Sequence, residues 1–127
     1  MPVAMDAARE LDTSEPINRS YLARFTLGNA ALEREVLELF AAQMPLYVEQ
    51  LRAATGNKEW KLAAHTIKGS AMAVGAQRLA SLATSAESLV VDHDPSRYER
   101  ARQAAAEDVA VAAQEACDHI ACLFATA

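Results

Sequence analysis

Trp60, Ala64, Ile67, Ala71 and Val74 follow one another at steps of 4, 3, 4 and 3, which places all five on one side of an α-helix. The same period returns along most of the chain, and breaks fall where glycine, proline and asparagine gather. At 127 residues the chain has room for one core without disulfide or metal staples. Hydrophobic residues make up 52%, largely alanine and leucine, and aromatics only 6%, which suits closely packed helices better than sheets. The expected fold class is all-α.

Residues 1–15 are polar and alanine-rich; they are expected to be flexible or loosely helical, leaving 16–127 as the folded domain. Ser14-Glu15-Pro16 reads as a helix start, with Ile17, Tyr21, Leu22 and Phe25 turned inward and a stop near Gly28. Asn29 can cap a second helix running to about Ala54, with Leu32, Val36, Leu39, Phe40, Tyr47 and Leu51 inward and a kink at Pro45. After the Gly56-Asn57 turn, a third helix spans about Lys58 to Val74 and ends on Gly75 as a left-handed cap. A fourth, from about Ala76 to Val91, buries Leu79, Leu82, Ala83, Ala86, Leu89 and Val90, with Glu87 at the edge of that face. In the next break, Asp92-His93-Asp94-Pro95, Asp94 caps and Pro95 takes the first helical position. The last helix keeps a seven-residue seam through Tyr98, Ala101, Ala105, Ala112, Ala116 and Leu123, interrupted by Asp108 and restored by Val109. Four long amphipathic helices with short joints imply an antiparallel up-down-up-down four-helix bundle with an additional short N-terminal helix.

A net charge of −5 and a pI near 5.1 argue against a nucleic-acid surface, which would carry a basic excess. Charge is nevertheless uneven, because all three lysines, Lys58, Lys61 and Lys68, fall on the third helix. Met1 to Asp12 has no uninterrupted apolar stretch of the signal-peptide kind, and no run approaches the roughly 18 to 20 apolar residues that span a bilayer. A cytoplasmic protein with no membrane partner is the expectation. Cys117 and Cys122, five residues apart in one helical pattern, are too far along the axis to bridge and read as reduced thiols. His119 and Cys122 lie one turn apart, but Cys117 points elsewhere and no fourth ligand is evident, so no metal site is expected.

His65 lies well off the apolar stripe of its helix, beside Lys61, Lys68, Gly69 and Met72, so its imidazole should face solvent. Glycine inside a helix costs about 1 kcal/mol relative to alanine. Close approach of another surface to the histidine would explain Gly69. The run His65-Thr66-Ile67-Lys68-Gly69-Ser70-Ala71, followed by Val74-Gly75-Ala76 and by Leu79, Ala83 and Glu87, resembles the histidine-containing phosphotransfer (HPt) domain of bacterial and fungal phosphorelays. The resemblance covers roughly residues 17 to 123, with a second glycine ten residues after the histidine.

That resemblance implies a relay intermediate in which His65 accepts a phosphoryl group from the aspartate of one receiver domain and passes it to the aspartate of another. Neutral imidazole is nucleophilic near pH 7, and transfer between proteins demands alignment and charge neutralisation more than covalent help. Lys68, one turn from His65, can meet phosphoryl oxygens as a mobile point charge. Glu87 corresponds to a position often glutamine in the family and glutamate in the phosphotransfer domains of chemotaxis kinases. A carboxylate there can accept the Nδ1 proton of His65 and leave Nε2 free to attack. Lys61, Gly69, Met72 and Gln77 are the expected docking residues. The implied partners are response-regulator receiver domains and a hybrid histidine kinase, and the chain is expected to be monomeric. It should need no cofactor of its own, with Mg²⁺ residing on the receiver, and should lack kinase catalytic apparatus.

Two rivals compete with this reading: a non-catalytic helical module that sequesters receivers, and the phosphorylatable piece of a larger kinase. His65, Lys68 and Gly69 occurring together disfavour the first, and a Met1 start with a complete bundle leads one to expect a stand-alone domain.

Overall fold

A computed structural model describes residues 15–89 and 95–125. These residues form five helices: α1 Arg19–Thr26, α2 Ala30–Ala53, α3 Asn57–Ala73, α4 Gln77–Glu87 and α5 Pro95–Ala125. No strand occurs among them. Helix α2 packs on α3 and α5, α4 packs on the same two helices, and α1 lies against α2. The core between them is largely aliphatic around Trp60, with alanine at many of its positions. The segment expected at 1–15 falls outside the described residues except for Glu15, as do Asp92, His93, Asp94, Val90 and Val91.

Helix α1 starts later than expected, at Arg19. Its cap is Asn18, whose side chain accepts from the Tyr21 N–H at 3.0 Å. Because Leu22 and Thr26 then share the inner face one turn apart, Phe25 is rotated off it and stands 60% exposed. Asn29 caps α2 as expected, accepting from the Leu32 N–H at 3.0 Å.

The buried face of α2 is not the expected one. Leu37, Phe40, Met44, Val48 and Leu51 are inside, at steps of 3, 4, 4 and 3, while Val36 and Tyr47 sit at the edge and Leu32 and Leu39 remain exposed. Two apolar stripes run along this helix, and the one between α3 and α5 is buried. Pro45 lies inside the helix and removes the donor that Ala41 O would otherwise receive. The Cys117 thiol of α5 approaches that carbonyl at 3.9 Å. Burial, with Asp118 adding to it, pushes this thiol above its ordinary pKa and keeps the proton it donates.

Helix α3 follows the sequence closely, since Trp60, Ala64, Ile67, Ala71 and Val74 are all buried. It closes in a Schellman motif, with Ala76 N–H on Ala71 O at 2.8 Å, Gly75 N–H on Met72 O at 3.3 Å, and Gly75 at φ +73°. Gly75 also receives the N-terminal segment, accepting from the Asn18 N–H at 2.8 Å. A Cβ there would lie 2.6 Å from Asn18 O.

Helix α4 ends at Glu87, four residues before the expected Val91, because Ser88 N–H turns back to Thr84 O and Leu89 N–H to Ala86 O. Leu79, Ala83 and Ala86 are buried, with Leu82 and Leu89 beside them.

In α5 the seam is displaced from the expected one. Arg102, Ala106, Val109, Ala113, Ala116 and Ile120 are buried at steps of 4, 3, 4, 3 and 4, together with Ala112. Tyr98, Ala101, Ala105 and Leu123 are half-buried at the margin, and Asp108 is exposed. Alanine on several faces leaves the register to larger groups. Arg102 sets it, with its guanidinium 5.2 Å from the Trp60 ring centroid and donating to Asn57 Oδ1. Among the described residues, no helix is long and apolar enough to cross a membrane.

Candidate functional site

Helix α3 presents Leu62, His65, Gly69 and Met72 at steps of 3, 4 and 3 on the side opposite its buried stripe. The His65 side chain is 64% exposed. Leu62 and Met72 are also largely in solvent. At Gly69 an added Cβ would meet nothing within 4 Å, so packing between helices of this chain does not explain the glycine. Lys61 is exposed and Lys68 half-buried on the flank facing α4.

From the last residue of α4, Glu87 reaches both groups. Its Oε1 lies 3.3 Å from His65 Nδ1 and its Oε2 3.3 Å from Lys68 Nζ. Partial burial pushes the Glu87 carboxyl up, but the Lys68 ammonium and, after it, the His65 ring outweigh this and hold it below the ordinary carboxylate value. The carboxylate is therefore ionised at neutral pH and can accept from Nδ1 in the tautomer that carries the proton there. In that tautomer Nε2 carries the ring's lone pair. Beside the trio, Lys61, Lys68, Thr84, Glu87 and Ser88 line a depression of about 280 Å³.

The structure thus brings together His65, Lys68 and Glu87, with Lys61, Gly69 and Met72 around them. Gln77 stands apart in the sense of chain geometry: it opens α4, ten residues before Glu87, roughly 15 Å along the axis at 1.5 Å per residue.

Sequence reasoning missed two features. One is the ion pair of Glu87 with Lys68. Such a pair depends on how far α3 stands from α4, which no spacing reveals. The other is an apolar surface. Leu32, Leu39 and Leu46 recur every seven residues on exposed α2, and Leu46 lies one turn before Gln50, which shares a hollow with Leu62 of α3. The Leu46 end of this row therefore lies nearest the histidine helix. Its signal was available as apolar residues left over once each helix had filled its inner stripe.

Cys117 is half-buried and Cys122 exposed, both as free thiols. Among the described residues no three His, Cys, Asp or Glu side chains are grouped closely enough to hold a metal ion.

Among known families, the model described as Hpt domain matches residues 35–121. No curated protein and no solved structure matches the chain.

Proposed function

The chain belongs to the Hpt domain family, and from that premise we propose that His65 is the phosphoacceptor of a phosphorelay, taking its group from one receiver-domain aspartate and yielding it to another. Membership itself carries a part in histidine phosphotransfer. What supports the finer assignment is the Glu87 carboxylate placed between His65 Nδ1 and Lys68 Nζ, at 3.3 Å from each.

In the forward step the Nε2 lone pair attacks the phosphorus of an aspartyl phosphate, the N–P bond forms, and the P–O bond to the aspartate breaks. The carboxylate leaves with the bonding pair. Positive charge gathers on the ring as its lone pair is spent, and Glu87, already holding the Nδ1 proton, stabilises it without moving. Lys68 can exchange its carboxylate partner for phosphoryl oxygens, since both are anionic and the ammonium rides on a flexible stem. Transfer onward reverses these bonds. We assign the Mg²⁺ that neutralises phosphoryl charge to the receiver, because the one carboxylate of this site is committed to His65 and Lys68.

Gly69 gives clearance, Leu62 and Met72 offer apolar contact, and Lys61 supplies a cation for an acidic partner pocket. Gln77 would lie at the margin of that footprint. We take 16–127 as the domain, monomeric and without kinase apparatus of its own. We arrange its four long helices up-down-up-down, because the joints at 54–56, 74–76 and 88–94 are short and successive helices pack on one another.

The test is to incubate the purified chain with a panel of phosphorylated receiver domains and follow the label. Transfer to wild type but not to His65→Gln, with the variant folded by circular dichroism, is the expected result. Binding of receivers without any transfer would overturn the relay reading in favour of sequestration.

A further inference from the structure

Trp60 precedes His65 by five residues on α3 and is 2% exposed. Its indole Nε1 donates to the carbonyl of Ala86 at 2.6 Å in a buried bond. A buried indole N–H without an acceptor is costly, so the link is obligatory once the ring is inside. Ala86 immediately precedes Glu87, the final residue of α4.

The ring of Trp60 is held as well. Arg102 of α5 places its guanidinium 5.2 Å from the ring centroid and donates to Asn57, the first residue of α3. The indole is thus fixed by two helices and grips the end of a third.

This grip falls at the C-terminal end of α4. Helix ends fray, and beyond Glu87 the chain continues only through the tight turn that Ser88 and Leu89 make. The Glu87 carboxylate hangs from this terminal turn, with both of its contacts at 3.3 Å. A displacement of about 1 Å would stretch them past bonding distance.

We propose that Trp60 is a positioning residue: its indole N–H, acting through the Ala86 carbonyl, sets the place of Glu87 against His65 and Lys68. The assignment rests on the reading above in which Glu87 holds the Nδ1 proton of His65. Nothing in the period of α3 distinguishes Trp60 from a core filler. Its function lies in the one polar atom of an otherwise apolar side chain.

Substituting β-(3-benzothienyl)alanine at position 60 keeps the ring's shape and removes the N–H, and Trp60→Phe provides a second, genetically encoded variant. In the folded full chain, ¹³C NMR follows titration of the Glu87 carboxyl and ¹⁵N NMR the ring nitrogens of His65. Loss of the N–H should move Glu87 toward the ordinary carboxylate range and weaken the Nδ1–H signature. Receiver-to-His65 transfer should fall roughly tenfold, with no further loss in combination with Glu87→Ala. A purely structural tryptophan would lower thermal stability and leave the Glu87 titration where it was, and that result overturns the proposal. Wild-type transfer by Glu87→Ala would instead overturn the role given to Glu87, while the titration still judges whether Trp60 holds it.

Discussion

Gly69→Ala separates docking from stability at a single atom's cost. Gly69 lies within α3, and a Cβ built there has nothing within 4 Å. No strain therefore offsets the gain in helix propensity, about 1 kcal/mol. For a domain between the size classes where that amount shifts Tm by 4–8 °C and by 2–4 °C, a rise of about 4 °C is expected. Gly69→Gln keeps nearly the same propensity, because glutamine is also a good helix former, but projects a long side chain over the His65 face. Its Tm should rise likewise while transfer from a saturating phosphorylated receiver drops at least several-fold. Thermal unfolding by circular dichroism and rapid-quench transfer assays on the three proteins provide the comparison. A lower Tm for Gly69→Ala would show that the glycine serves internal packing, and wild-type transfer by Gly69→Gln would refute clearance.

The second glycine of the motif should behave oppositely. Gly75→Ala forces a side chain onto φ +73° and against Asn18 O at 2.6 Å, and a loss of roughly 1–3 kcal/mol or more is expected in denaturant melts; an unchanged midpoint would refute the strain. For Glu87→Gln the pH dependence is diagnostic. The native carboxyl sits below its ordinary 4.5, so its ionised form favours folding above that value, and the benefit is lost as pH falls through the native pKa. The stability gap between wild type and Glu87→Gln should therefore be larger at pH 5.5 than at pH 3, and a gap that grows toward pH 3 would contradict the assigned contacts.

What the sequence revealed differs from helix to helix for physical reasons. In α3 the large apolar residues off the stripe, Leu62 and Met72, are ten residues apart with His65 and Gly69 between them, so no second stripe competes with Trp60, Ala64, Ile67, Ala71 and Val74, and all five are buried. In α2 leucines occupy two stripes, and in α5 alanine occurs on several faces, so periodicity alone left the register open. Contacts with neighbouring helices decided it, through Met44 and Val48 in one case and Arg102 in the other. Phe25 came out exposed because Leu22 and Thr26, one turn apart, take the inner face of α1. At the site, exposure of His65 followed from its place off the stripe, and Glu87 from the family pattern. Its ion pair with Lys68 and the hold of Trp60 on Ala86 are distances between helices, which a linear chain does not display.

The central claim is that Nε2 of His65 carries the phosphoryl group while Nδ1 keeps its proton against Glu87. Proton-detected ¹⁵N correlation spectra of the ¹⁵N-histidine-labelled chain, recorded before and after transfer from a phosphorylated receiver and paired with ³¹P spectra, read this directly. The account predicts one phosphoramidate resonance, stable in base and lost in mild acid, coupled to Nε2 of His65 and missing from His65→Gln. Phosphorus coupled to Nδ1, or a phosphoryl resonance that persists in folded His65→Gln, would contradict it.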